Sequence, residues 1–372
     1  MRQIPTLAPL PARLPDSVPF VGPETLERQR GAPFAARLGA NENGFGPSPR
    51  AIAAMQAEAD EVWKYGDPTN HDLRAAIAAH CGVTPAHVVV GEGIDTLLGL
   101  AVRLMVAEGD RVVSSEGGYP TFDFHVTGFG GELLRVPYRD DRQDPQALVA
   151  RAGETGARMV YLCNPDNPMG GWHPPEVIEA ALAALPDDIL LILDEAYAEF
   201  APALLRIDPD DPRVLRMRTF SKAHGMAGAR IGWAIGAPGM IRAFDRVRNH
   251  FGVNRIAQAG ALAALADTAH LDRTVAQVAA ARDRIAAIAR DNGLTTLPSA
   301  TNFVAVDCGG DGDFARAVLT ALGDRGVFVR MPWVAPQNRC IRVSCGPAGA
   351  LDAFAEALPQ ALAMARRGAS GG

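Results

Sequence analysis

Apolar residues recur along this chain in two alternating rhythms. Short runs dominated by apolar side chains stand at 88–90, 111–114, 159–163, 189–193 and 214–219. Between them lie longer stretches of helical character, at 72–79 and 96–105, and a helix opened by Ser48 as cap with Pro49 in its first turn. Continuous apolar strands alternating with helices predict a mainly parallel sheet covered by helices on both faces. Functional groups in such sheets gather just beyond the carboxyl ends of the strands. After about residue 255 the texture changes. Apolar positions 271, 275, 278, 285 and 288, closed by Gly293, predict a long amphipathic helix, and three short strands follow at 302–306, 326–330 and 340–344.

The expected organisation is therefore an α/β chain in four parts. An N-terminal arm covers 1–40, where prolines at 5, 9, 11, 15, 19, 23 and 33 favour extended, semi-rigid backbone. A large domain covers 41–255, a smaller α/β domain 256–366, and 367–372 is expected to be a disordered tail.

Composition narrows the classes. With 372 residues the chain is long enough for two domains around a sizeable core, and 48 % apolar with 21 % charged residues is ordinary for a soluble enzyme. A net charge of −6 gives no electrostatic case for nucleic acid. Five scattered cysteines without a Cys-x-x-Cys pair point to free thiols in a reducing cytoplasm, with no metal site expected. Prolines break the N-terminal residues before a signal peptide's apolar run could form, and no apolar stretch is long enough to span a membrane.

Candidate chemistry centres on Lys222, in Arg218-Thr-Phe-Ser221-Lys222-Ala-His-Gly-Met-Ala-Gly-Ala-Arg230. An amine at a strand end can form a Schiff base with an aldehyde cofactor, and Ser221 with Arg230 offers a hydroxyl and a cation for a phosphate, which together suit pyridoxal phosphate. Asp194 ends the most apolar run, where a carboxylate needs a partner such as a protonated pyridine nitrogen; capping the next helical turn is the plainer alternative. Tyr197 and Asn167 could reach the cofactor's ring oxygen, and Tyr119 could stack on its ring, although a core tyrosine or a simple turn explains each by itself. Gly91-Glu-Gly93-Ile94-Asp95 leads into a helix whose first amides suit a phosphate. As a nicotinamide-dinucleotide fingerprint it lacks the third glycine.

The order of these pieces resembles the pyridoxal-phosphate aminotransferases of fold type I, class I/II, and within them the histidinol-phosphate aminotransferases. The matching segments run from Leu38-Gly-Ala-Asn41-Glu-Asn-Gly through Tyr65-Gly-Asp-Pro, Asn164-Pro-Asp-Asn167-Pro and Asp194-Glu-Ala-Tyr197 to Cys340-Ile-Arg342-Val-Ser. The resemblance implies an aspartate-aminotransferase-like fold and a homodimer in which Tyr65 reaches the neighbouring subunit's site. It implies that Lys222 is both Schiff base and proton shuttle. Asp194 would pair with the ring nitrogen, Tyr197 and Asn167 with the ring oxygen, and Tyr119 with the ring face. Ser221, Arg230 and the amides of Ile94 and Asp95 would hold the phosphate. Arg342, Arg330, Asn41 and Phe20 would meet the substrate.

Two local departures stand out. Phe20 occupies a place where a tyrosine is usual, and a lost hydroxyl donor to an oxyanion removes about 1.5–3 kcal/mol of binding. Met169 replaces the usual threonine of Asn-Pro-Thr-Gly. The expected reaction is ping-pong transamination in the cytoplasm between histidinol phosphate and 2-oxoglutarate. An aromatic or other amino-acid donor, or decarboxylation of a phosphorylated amino acid, remains open. A non-enzymatic ligand sensor is disfavoured by the intact Lys222.

Overall fold

The computed structural model describes residues 5–16 and 21–370; Phe20, expected among the substrate contacts, lies outside them. Twelve strands follow in chain order: β1 (Ala36–Arg37), β2 (Val88–Gly91), β3 (Arg111–Ser115), β4 (Glu132–Val136), β5 (Met159–Cys163) and β6 (Leu190–Asp194). The second half holds β7 (Val214–Thr219), β8 (Gly232–Gly236), β9 (Thr295–Thr296), β10 (Phe303–Asp307), β11 (Val327–Phe328) and β12 (Cys340–Ser344).

Seven of these form the central sheet in the order β2-β8-β7-β6-β5-β3-β4. The β3–β4, β3–β5, β5–β6 and β6–β7 pairs are parallel, while β8 runs antiparallel to both β7 and β2. Strand side chains alternate between faces, and the packing follows that rule. Val112, Tyr161, Ile192 and Leu215 enter one apolar layer, whereas Val113, Val160, Leu162, Leu191 and Leu193 enter another against helices Pro145–Thr155 and Pro175–Ala183. Each such buried aliphatic or aromatic side chain is worth about 1.5–3 kcal/mol. Both faces being covered explains why these strands read as unbroken apolar runs.

Two strands of the central sheet escaped that criterion for physical reasons. β4 is an edge strand with an exposed end, so Glu132 and Arg135 interrupt its apolar pattern. β8 is wholly buried but bounded by glycines; a Cβ on Gly232 would stand 2.9 Å from the Arg218 carbonyl oxygen.

Toward the C-terminus the antiparallel sheet β12-β10-β9 packs against the long helix Thr268–Asp291 and helix Gly312–Asp324, and helix Ala348–Ser370 packs on both of these helices and on β1 and β11. Helix Ala348–Ser370 corrects the expectation of a disordered tail, since residues 367–370 continue it. The arm is also more regular than its prolines suggested. Pro23 takes the first position of helix Pro23–Arg30, where its missing N–H costs nothing. The chain then enters β1, which pairs in parallel with β11, so the arm is stitched to the C-terminal part of the chain. No helix among the described residues is long and apolar enough to cross a membrane.

Candidate active site

Because β2, β3, β5, β6 and β7 all point the same way, the segments that follow them emerge at one edge of the sheet. There they meet the backbone around Asn41 and the end of β12 to enclose a cavity of about 250 Å³. Asn41, Tyr119, Asn167, Asp194, Tyr197, Lys222, Arg330 and Arg342 all line it.

Lys222 follows β7 and donates from Nζ to the Asn41 carbonyl oxygen at 3.1 Å. Burial, reinforced by the nearby Arg342 cation, lowers its amine to about 8. Asp194 is the last residue of β6 and is almost wholly buried. Its Oδ2 accepts the Tyr161 hydroxyl at 2.7 Å and its Oδ1 accepts the Ala196 N–H at 3.0 Å. Desolvation pushes its carboxyl up to about 6. The expected alternative, a cap on a following α-helix, gives way to a short 3₁₀ turn at Ala198–Phe200.

Tyr197 accepts a 3.0 Å hydrogen bond from Asn41 Nδ2, and its ring lies 5.7 Å from Lys222 Nζ. Asn41, in a left-handed conformation at φ 54°, therefore ties the amine and the phenol together. Its own backbone is held by the fully buried Asn302, which donates to the Asn41 carbonyl oxygen at 3.0 Å, and by the Ser344 hydroxyl. Tyr119 donates its hydroxyl to Asp95 Oδ1 at 2.7 Å.

Ile94, Asp95, Ser221 and Arg230 do not line the cavity; they cluster next to residues that do. Ile94 and Asp95 open helix Ile94–Met105, and Arg230 stands 3.9 Å from Asp95. Ser221 is fixed beside Lys222 by Thr219, whose Oγ1 accepts the Ser221 N–H at 3.0 Å. A Cβ on Gly93 would stand 2.6 Å from Arg230 Nη2, and the residue adopts φ +87°, so glycine is required at this turn. The result is a helix N-terminus, a hydroxyl and a guanidinium gathered beside the cavity, with the Asp95 carboxylate between Arg230 and Tyr119.

In the same cavity, Arg342 donates from Nη1 to Asn167 Oδ1 at 2.5 Å and from Nη2 to the Gly39 carbonyl oxygen at 3.3 Å. Its Nε is buried without a hydrogen-bond partner. Burial lowers its guanidinium to about 10. Arg330 bridges to the backbone of Arg342 and donates from Nη2 to the Val21 carbonyl oxygen at 2.9 Å, bringing the arm to the cavity's rim. Asn167, expected at the cofactor's ring oxygen, here has its side-chain oxygen engaged by Arg342. Tyr65 is 79 % exposed, packs against Phe251 with ring centroids 4.8 Å apart and a 42° tilt, and is absent from the lining of this chain's own cavity.

The donor set fits the cofactor expected from the sequence: a neutralisable amine, a buried carboxylate and an anion cradle converge from separate strand ends. Three supports were invisible in the motifs. Tyr161 is one, and its position two residues before Cys163, on the same strand face, was the available signal. Asn302 is another. The third is the buried clamp in which Arg216 and Arg218 both bind Glu195, at 2.9 and 3.1 Å, locking the end of β6 to β7. The Lys222 loop is also pressed onto segment 43–47: Asn43 donates to the Ala223 carbonyl oxygen, and a Cβ on Gly225 would lie 2.5 Å from the Gly46 carbonyl carbon.

Comparison with known proteins agrees with this geometry. The family model for aminotransferase class I and II matches residues 36–358. The chain is 32 % identical over 346 residues to the histidinol-phosphate aminotransferase of Moorella thermoacetica, covering 91 % of this chain and 89 % of that one. It is 37 % identical to histidinol-phosphate aminotransferase 1 of Mesorhizobium japonicum, covering 90 % and 92 %. The crystal structure of histidinol-phosphate aminotransferase from Sinorhizobium meliloti in complex with pyridoxal-5'-phosphate superposes with a TM-score of 0.93 at 53 % identity, over 97 % of this chain and 98 % of that one. Aspartate aminotransferase from Thermus thermophilus shares the fold, with a TM-score of 0.78 at 22 % identity over 95 % of this chain and 100 % of that one.

Proposed function

We propose, because the chain belongs to the class I and II aminotransferases, that it is a pyridoxal-phosphate enzyme moving an amino group from histidinol phosphate to a 2-oxo acid such as 2-oxoglutarate. The observation that carries the reading is one cavity lined together by Lys222, Asp194 and two arginines, Arg330 and Arg342. The similar Sinorhizobium meliloti enzyme, crystallised with that cofactor, supports the first part of the reading, and the names of the curated relatives support the second.

When bound, pyridoxal phosphate supplies a carbonyl carbon to capture the amine and a ring to store the electron pair left on the substrate carbon. The chain's own residues do the rest. Asp194 offers its carboxylate to the ring nitrogen, Tyr197 its hydroxyl to the ring oxygen, and Tyr119 its ring face. Ser221, Arg230 and the first amides of helix Ile94–Met105 hold the phosphate. Lys222, with an amine near 8, is poised to take a proton from the substrate carbon and return it elsewhere close to neutral pH. Arg342 and Arg330 meet the substrate's phosphate in one half of the ping-pong cycle and the 2-oxo acid's carboxylate in the other, a two-pronged task that lysine performs poorly.

We also assign the active unit as a dimer. Tyr65 and the neighbouring Trp63, 79 % and 77 % exposed, present an aromatic surface suited to a second copy, with Tyr65 directed at that copy's phosphate site. The cytoplasm is the compartment consistent with five free cysteines.

Histidinol phosphate, then a panel of amino acids, added to the yellow holoenzyme should bleach the cofactor band in a single half-reaction. Rapid bleaching by histidinol phosphate supports the assignment. Bleaching by aromatic amino acids with histidinol phosphate inert overturns it and gives Arg342 to a carboxylate donor.

A further inference from the structure

Asp194 is the only acid among the described residues that line the cavity, and its two oxygens take their hydrogen bonds from Tyr161 and from the Ala196 N–H. The Tyr161 contact is built with care. The residue sits in the middle of β5, wholly buried, one strand away from Asp194. Its ring stacks on Phe122 at 4.5 Å with an interplanar angle of 16°, so the hydroxyl has one place to go. That place is Asp194 Oδ2, at 2.7 Å. A phenylalanine would satisfy the packing equally well, and a phenol this deep is costly unless its hydroxyl is bonded.

Resting on the pyridoxal-phosphate reading above, we propose that Tyr161 is a positioning residue of the reaction: its hydroxyl holds the Asp194 carboxylate ionised and turned into the cavity. Two physical effects follow. A donor on Oδ2 stabilises the charged form against the desolvation that otherwise favours the neutral acid. It also makes the carboxylate a weaker base, so the shared proton stays on the ring nitrogen, where it draws electrons, rather than passing to the acid. Tyr161 thus acts through Asp194 and touches neither substrate nor cofactor.

The other groups that bear on Asp194 are spread over several elements. Asp95 at the start of helix Ile94–Met105 and the adjacent Glu195 raise its proton affinity, Cys163 follows Tyr161 on β5, and Tyr197, Lys222 and Arg342 face the same cavity. None of these is altered by Tyr161→Phe, which removes one oxygen and leaves the ring on Phe122.

The test has two spectroscopic readouts. In the apoprotein, the Asp194 carboxyl is titrated by infrared difference spectroscopy, assigned by subtraction of Asp194→Asn. In the holoprotein, the pH midpoint of the bound cofactor's visible band is measured. Tyr161→Phe should raise the proton affinity of the carboxyl about tenfold or more, the effect of one lost hydrogen bond to a charged group. A more basic Asp194 draws the proton off the ring, so the visible midpoint should move upward as well. Thermal unfolding of the apoprotein, close to wild type, establishes that the fold is retained. Unchanged midpoints in both titrations, in a folded variant, overturn the proposal. Failure of the wild-type protein to bind pyridoxal phosphate overturns instead the reading on which it rests.

Discussion

The two ends of the cavity are built differently. At the proposed cofactor end, Asp194, Tyr161 and Lys222 lie in or just beyond adjacent strands of one sheet, and most of their supports (Ala196, Thr219, Glu195 with Arg216 and Arg218) come from the same strands or the residues next to them, with Asn41 added beneath the Lys222 amine. At the substrate end, Arg342 reaches from β12 to Asn167 and Gly39, while Arg330 reaches to Val21 of the arm. The comparison teaches that the residues proposed for chemistry are placed mainly by neighbouring strands, whereas those proposed for recognition are tied to segments distant in the chain.

The sharpest way to break the cofactor end is Lys222→Ala. Turnover should fall by about 10²–10⁴-fold or more, the usual worth of a positioned acid–base group, read in single-turnover absorbance. Glu195→Gln attacks the same end through its scaffold. Leaving Arg216 and Arg218 buried with a neutral partner should cost about 3–5 kcal/mol in urea unfolding, and activity should recover where the variant is folded. At the substrate end, Arg342→Lys keeps a positive charge but loses the fork. It should raise KM for histidinol phosphate about 10- to 100-fold while cofactor retention stays near wild type. If cofactor retention collapses as well, the two ends are not separable.

The mildest test uses pH. An amine lowered to about 8 is mostly protonated at pH 7 and mostly free above pH 9. Apoprotein capture of pyridoxal phosphate, followed by stopped-flow absorbance, should therefore accelerate about tenfold per unit well below 8 and level off above it. The sign follows from the free amine being the nucleophile. A rate flat between pH 6 and 8 would show that the amine is not the group limiting capture.

What could be read beforehand follows the same division. Residues at strand ends stand beside glycines, prolines and abrupt changes of polarity, so Lys222, Asp194, Tyr119 and Asn167 announced themselves. Tyr161 and Asn302 did not. Each sits among apolar neighbours in or beside a buried strand, and only the pairing of distant segments reveals what its polar atom meets. The fold class was legible because parallel strands buried on both faces leave unbroken apolar runs. The edge strand β4 and the glycine-bounded β8 obey other rules. Residues 367–370 were not legible as helix because Gly368, Ala369 and Ser370 look like a tail by composition, although helix Ala348–Ser370 runs through them.

Gly225 has a consequence for how such a chain can change over generations. A Cβ there would meet the Gly46 carbonyl group, leaving no room for even a methyl group, and its φ of +69° lies in the left-handed region that favours glycine. Any replacement would lever the Lys222 loop away from the segment carrying Asn43, and inheritance at that position is closed. New side chains for new substrates can then enter the cavity elsewhere, for example in the segment from Arg330 to Trp333, while the turn at Gly225 stays glycine.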